Sequence, residues 1–215
     1  MLYYSVSSTY IRSAIGIAVS KNIEGPYDYR DTIIYSGFTN FETTDNKSVI
    51  NKHWENTNIA DLIADGTLDN VNPDWFTSEG NYNNALYTNG IDANILYDEN
   101  GDLWMTYGSW SGGTFILPLD KKAGVPIYPG KDGKTSDGRI VDRYFGTKIA
   151  GGYGRSGEGT YAVYDKETGY YYLYITYGGL ASDGGYQMRQ FRSKRLMARM
   201  KTPLVMLLFF QKALI

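Results

Sequence analysis

One pattern recurs three times along this chain and restricts the folds open to it. The segments are LYYSVSSTYIRSAIGIAVSK (Leu2 to Lys21), LWMTYGSWSGGTFILPLDK (Leu103 to Lys121) and YYLYITYGGLASDGGYQMRQFRSK (Tyr171 to Lys194). Each holds an aromatic strand, a corner of small residues and a second alternating strand. Before the second and third come ILYDENGD and AVYDKETG, where Asn-Gly or Thr-Gly supplies a tight reversal. A repeated unit of three or four antiparallel strands is the mark of a β-propeller blade. A β-sandwich is the alternative, but a sandwich does not require one unit to recur so regularly.

Composition agrees with an all-β chain. Tyr 21, Trp 4 and Gly 25 among 215 residues favour short strands joined by tight corners. Exposed aromatic faces also stack on sugar rings. The net charge of -2 advertises no basic surface, so neither nucleic acid nor an acidic membrane is an expected partner. No cysteine is present, which removes disulfides and thiolate metal sites, and the single histidine, His53, removes a multi-histidine metal site. The opening MLYYSVSS lacks a secretory signal's basic and apolar regions and reads as the middle of a strand. The expectation is that Met1 is not the natural start.

A long polar stretch, Gly37 to Asn89, separates the first two units. Within it Asn58 is placed to cap a short helix over Ile59 to Ala64. Trp54, Trp75 and Phe76 serve there either as core plugs or as sugar platforms, with core packing the favoured role. The tail breaks from everything before it: KRLMARMKTPLVMLLFFQKALI has no Gly, Asp or Tyr and ends in an apolar run. Back-translated from Leu196 and read from the last base of each codon, it becomes DGPYEDAAGNAAIFPKG. That string matches EGPYDYRDTIIYSG, which follows the first unit from Glu24. Residues 195–215 are therefore expected to be a frameshifted tail without a native fold, and residues 1–194 the folded domain. The alternative is a genuine apolar C-terminal helix.

Two acids occupy equivalent places in neighbouring units. Asp92 lies in TNGIDANILYDENGD, and Glu158 lies in SGEGTYAVYDKETG, each just ahead of its hairpin. In a propeller the first strands of blades converge on the axis, so carboxylates there meet at one end of the channel. Paired carboxylates are what glycoside hydrolysis needs: one protonates the leaving oxygen and the other activates water or attacks. Like charge and partial burial raise one member of such a pair. Glu24 in EGP is a decoy on a turn that recurs in the shifted frame, and it is assigned a structural role.

The segments IDANILYDENGDLWMTYGSWSGG, GEGTYAVYD, YYYLYITYGG and the SAIGIAVS unit followed by GPY resemble glycoside hydrolase family 43, closest to its α-1,5-L-arabinanases. The resemblance covers nearly all of Leu2 to Lys194. It implies a five-bladed β-propeller, here with a partial first blade and no last blade. It also implies three acids: a base, an acid that tunes and orients, and a general acid. Asp92 matches the second, in Asn89-Gly90-Ile91-Asp92-Ala93 where the family reads Asn-Ala-Ile-Asp-Pro. Glu158 matches the general acid, with Thr160 in place of the proline of Glu-Gly-Pro. The base is implied in a Trp-Ala-Pro-Asp-like stretch upstream and is absent from this chain.

Other candidates for sugar contact follow from position. Asn89 and Ile91 flank Asp92, and Ser109 and Trp110 form the corner after the Trp104 strand, which the family uses near the cleaved bond; for Trp110, core packing between blades is an equal alternative. Gly157 is expected to allow a ring to approach the Glu158 backbone. No organic cofactor is required; family members carry calcium, but no metal ligands are assigned here, since His53 sits in the wrong repeat. The expected partner is plant arabinan or an arabino-oligosaccharide, acted on with inversion by a secreted, monomeric parent protein. This chain, lacking the base, is expected to be inactive. The alternatives are a non-catalytic carbohydrate-binding propeller and a β-xylosidase or α-L-arabinofuranosidase of the same family.

Overall fold

The computed structural model describes residues 1–45, 48–152, 156–198 and 200–201. Its first sheet takes β1 (Leu2–Thr9), β2 (Arg12–Val19) and β3 (Asp28–Tyr35) in that order, antiparallel throughout. A two-stranded ribbon, β4 (Thr44–Asp45) with β5 (Ser48–Asn51), and the helix α1 (Asn58–Ala64) follow. The second sheet is built on the meander β6 (Asn94–Tyr97), β7 (Leu103–Tyr107) and β8 (Thr114–Leu119). It is extended by β9 (Gly133–Lys134), β10 (Ile140–Asp142) and β11 (Gly146–Ala150) in the spatial order β6-β7-β8-β11-β10-β9. The third sheet is β12 (Glu158–Asp165), β13 (Tyr170–Tyr177) and β14 (Gln187–Ser193).

The recurring segments thus become β1-β2, β7-β8 and β13-β14, one pair in each sheet. The two hairpins read from the sequence form alike. At the first, Asp98 Oδ1 accepts the amides of Asn100 and Asp102, and Gly101 turns the chain at φ 75°. At the second, Asp165 Oδ1 accepts the amide of Glu167, and Gly169 takes φ 63°. A left-handed residue in a tight reversal favours glycine, which has no Cβ to clash.

The second sheet is buried on both faces, and strand alternation divides its side chains between two cores. Leu103, Met105 and Tyr107 of β7 join Phe115, Leu117 and Leu119 of β8 in a core shared with Ile15, Ile17, Ile33 and Ile34 of the first sheet. Ile116 and Leu96 face the other way, onto Tyr171, Leu173 and Ile175 of β13. On β13 the opposite face, carrying Tyr170, Tyr172 and Tyr174, is only half-buried.

The stretch Gly37 to Asn89 packs into the first core rather than extending from it. Trp75 is fully buried in contact with Phe38, Tyr144 and Phe145, while Trp54 and Phe76 pack against the same cluster. All three aromatics therefore have the core role. The helix is real but its cap is one residue earlier than read. Thr57 accepts from the Ile59 amide, and Asn58 is the first helical residue. Asn58 is drawn away by long-range bonds: its amide donates to Ile33 O and to the Tyr128 hydroxyl at 3.1 Å each. Glu24 lies on the exposed connection between β2 and β3.

Of the tail from Arg195, residue 199 and residues 202–215 lie outside the described residues. Among those described, Leu196 and Met200 are buried in the second core, and Arg139 Nη2 donates to Met197 O at 2.7 Å.

Candidate active site

Glu158 is the first residue of β12, paired across the hairpin with Thr176. Asp92 precedes β6, and β6 and β12 are neighbours across the seam between the second and third sheets. The two acids sit at the same end of that seam. The amide of Gly159, next to Glu158, donates to Asp92 Oδ2 at 2.9 Å. Asp92 is pushed above the ordinary carboxylate range chiefly by burial; the Gly159 amide opposes this, and the charge of Glu158 adds to it.

Both oxygens of Glu158 are held. Trp110 Nε1 donates to Oε2 at 2.9 Å, and the hydroxyl of Tyr186 donates to Oε1 at 2.5 Å. Trp110 is anchored through its backbone as well, its amide donating to Gly157 O at 2.7 Å and its carbonyl accepting from Gly113 N at 2.7 Å. Hydrogen bonding to the Glu158 carboxylate raises the Tyr186 phenol above its ordinary value, with desolvation and the Glu158 charge adding.

The backbone around these groups is strained. Asp92, Trp110 and Ser111 have φ of 58°, 48° and 42°. Left-handed geometry at non-glycine residues costs about 1–3 kcal/mol each and is kept where the surroundings enforce it. Behind Asp92 the enforcement comes from Ser36. Its hydroxyl donates to Ile11 O at 2.6 Å and accepts the Gly90 amide at 2.9 Å, and Asn89 Oδ1 lies 3.1 Å from it. The Gly108 amide then caps Ile91 O at 2.8 Å. Ile11 itself has φ 65°, so the equivalent corner of the first sheet carries the same strain.

The structure brings Asp92, Glu158 and Trp110 together. Ile91 is partly exposed beside them. Asn89 and Ser109, read as sugar contacts, are 5% and 3% exposed. Asn89 Oδ1 is held by the Ser36 hydroxyl. A Cβ at Gly157 would meet Ile175 Cγ2 at 3.4 Å and Tyr177 Cε1 at 3.5 Å. The glycine that the backbone requires is Gly159, at φ 59°.

Two participants were not read from the sequence. Tyr186 reaches Glu158 from the far end of the third repeat, and only the GGY corner hinted at it. Ser36 carried no signal. Beside the site, the hydroxyls of Thr160 and Ser111 are buried with no hydrogen-bond partner among the described residues. Among those residues no three His, Cys, Asp or Glu side chains gather at one point, and His53 pairs with Glu55 at 3.4 Å.

No family profile matches the chain. It is 36% identical over 183 residues to the extracellular endo-α-(1→5)-L-arabinanase of Thermotoga petrophila, covering 85% of this chain and 30% of that protein. It is 34% identical over 195 residues to extracellular endo-α-(1→5)-L-arabinanase 2 of Bacillus subtilis, covering 91% and 32%. Among solved structures it superposes on the Thermotoga petrophila endo-1,5-α-L-arabinanase with TM-score 0.62 and 33% identity, covering 92% of this chain and 35% of the other. The family 43 glycoside hydrolase YxiA of Bacillus licheniformis gives TM-score 0.62 at 34% identity, covering 92% and 34%. The resemblance to family 43 arabinanases thus holds across most of the chain, which spans about a third of the length of the curated relatives it matches.

Proposed function

We propose that this partial homologue of arabinanases is one part of an inverting glycoside hydrolase acting on α-1,5-linked L-arabinan, built on a five-bladed β-propeller of which these sheets form a portion. The observation that carries the reading is the hydrogen bond from Gly159 to Asp92, which joins the corners of two carboxylates from neighbouring sheets. Glu158 is the general acid that protonates the glycosidic oxygen. Asp92 orients it and holds it protonated. The base that deprotonates the attacking water belongs to sequence outside these 215 residues, roughly 6.5–9.5 Å from the acid in an inverting site.

Three further assignments go with this reading. The chain alone does not hydrolyse arabinan. The parent acts outside the cell as a monomer, a placement supported by the extracellular relatives. Among the described residues no helix is long and apolar enough to cross a membrane. Residues 195–215 are an out-of-frame reading of a further GPY turn and strand, a proposal that rests on the hidden string DGPYEDAAGNAAIFPKG.

Resequencing the source DNA on both sides of this reading frame, and expressing the protein it encodes, tests the whole. Linear arabinan should be hydrolysed with inverted anomeric configuration, followed by proton NMR. Glu158→Gln should lower the rate by about 10²–10⁴-fold, the usual contribution of general acid catalysis. Hydrolysis by the 215-residue chain itself would refute the placement of the base. Sugar binding that survives Glu158→Gln with Asp92→Asn, without any hydrolysis in the longer protein, would instead establish a binding module.

A further inference from the structure

Glu158 is held by two partners of unlike chemistry. An indole N–H only donates; a phenol both donates and accepts. Trp110 Nε1 on Oε2 therefore always needs a bare oxygen in front of it. Tyr186 on Oε1 meets either state: it donates to a carboxylate, and it accepts from a carboxylic acid by turning its own hydrogen away. Tyr186 is 47% exposed, so water is available to receive that hydrogen. The indole has no such freedom, because its N–H is fixed in the ring plane and can only donate; the Trp110 backbone is tied to Gly157 O and Gly113 N.

We propose that Trp110 and Tyr186 are positioning residues that confine the proton of Glu158 to Oε1, the oxygen facing Tyr186, and exclude it from Oε2. A neutral Glu158 then keeps one fixed geometry: C=O to the indole, O–H toward the phenol. In the hydrolase reading, on which the catalytic consequence rests, the leaving oxygen is protonated from Oε1, and a bound sugar must approach at the Tyr186 side. The placement of the proton itself does not depend on that reading. The elevated phenol of Tyr186 accords with a partner that gives its hydrogen bond to a charged oxygen.

The full 215-residue chain is sufficient for the test. Glu158→Gln copies the protonated acid without titrating: its amide oxygen stands for Oε2 and its NH₂ for the protonated Oε1. The substitution is isosteric at a half-exposed strand end, so the fold is kept. The readout is the Trp110 indole N–H in ¹H–¹⁵N spectra. In Glu158→Gln it should stay downfield and exchange with solvent about tenfold more slowly than in Glu158→Ala, the factor a retained neutral hydrogen bond confers. The Tyr186 ring-carbon resonance, identified by its loss in Tyr186→Phe, should titrate at lower pH in Glu158→Gln than in the unaltered chain. An indole in Glu158→Gln that exchanges as fast as in Glu158→Ala would mean the NH₂ faces Trp110, and would overturn the proposal. An unmoved Tyr186 titration would overturn it equally, by removing the contact at Oε1. Neither result touches the hydrolase reading, which is decided by arabinan hydrolysis in the longer protein.

Discussion

The Gly159 amide and Asp92 Oδ2, 2.9 Å apart, tie the third sheet to the second one residue beyond Glu158. Asp92 holds this bond from a left-handed backbone, so its side chain and its φ are both specified. Asp and Asn tolerate that conformation better than other residues with a Cβ.

Asp92→Asn should therefore keep the fold. Its amide oxygen still accepts from Gly159, and the unfolding free energy from urea denaturation should match that of the unaltered chain to within about 0.5 kcal/mol or exceed it. Asp92→Ala should lose about 1–2 kcal/mol through the missing bond and the strained φ. Burial raises the Asp92 carboxyl on folding, so the native state binds that proton more tightly than the unfolded chain. Stability from this group is greatest at low pH and declines as pH rises above the unfolded value. Asp92→Asn should remove that part of the pH dependence, and a stability–pH profile unchanged by the substitution would contradict the assignment.

Two glycines flank Glu158 and should respond differently to alanine. Gly159 has φ 59°, so Gly159→Ala should cost about 1–2 kcal/mol. Gly157 lies outside the left-handed region, and its Cβ would meet Ile175 Cγ2 at 3.4 Å, a contact that a small shift absorbs. Gly157→Ala should cost well under about 1 kcal/mol. Thermal melts of the pair decide between this order and its reverse.

Thr160 is 5% exposed with a hydroxyl that finds no partner among the described residues. Thr160→Val keeps the side-chain shape and removes the unsatisfied group, and should stabilise the chain by about 1 kcal/mol. A loss of stability in chemical denaturation would reveal a partner for that hydroxyl.

Asp142 is a buried carboxylate at the base of the first core. Its oxygens accept from Trp75 Nε1 at 2.8 Å, Asn72 Nδ2 at 3.1 Å, and the amides of Tyr144 and Phe145 at 2.9 and 2.8 Å. Asparagine offers one acceptor oxygen and turns an NH₂ toward two of these donors. Asp142→Asn should destabilise the chain at neutral pH by about 2–3 kcal/mol. Burial outweighs the hydrogen bonds from Phe145, Tyr144 and Trp75, and pushes Asp142 up to about 6 from 3.8. Between those two values the native state holds the extra proton, so the Asp142 contribution should fall as pH rises from about 4 to about 6 and be flat above. A chain whose stability rises across that window in an Asp142-dependent manner would reverse the sign.

The parts legible in sequence were those set by short-range rules. Aromatic alternation marked β1, β7 and β13; Asn-Gly and Thr-Gly marked the hairpins; and position within the repeat marked Asp92 and Glu158. Long-range geometry was hidden. Tyr186 meets Glu158 only after β13 and a glycine loop bring it back across the hairpin. The outer part of the second sheet is filled by β11 before β10 and β9, so no periodicity along the chain reveals the spatial order. Asn58 looked like a cap because local propensity cannot foresee Ile33 and Tyr128 competing for its side chain. Gly157 and Gly159 are indistinguishable by composition; only backbone dihedrals separate them.

The alternation of Phe115, Ile116 and Leu117 between two cores has a consequence for how the chain comes apart. Among the described residues, the first sheet and α1 depend on one core, the third sheet on the other, and only the second sheet belongs to both. Loss of the third sheet strips one face of β8 and leaves the other packed. Amide exchange under native conditions should therefore resolve two cooperative units. Amides of β12 to β14 would open together at the lower free energy, while those of β2, β7 and β8 would wait for global unfolding.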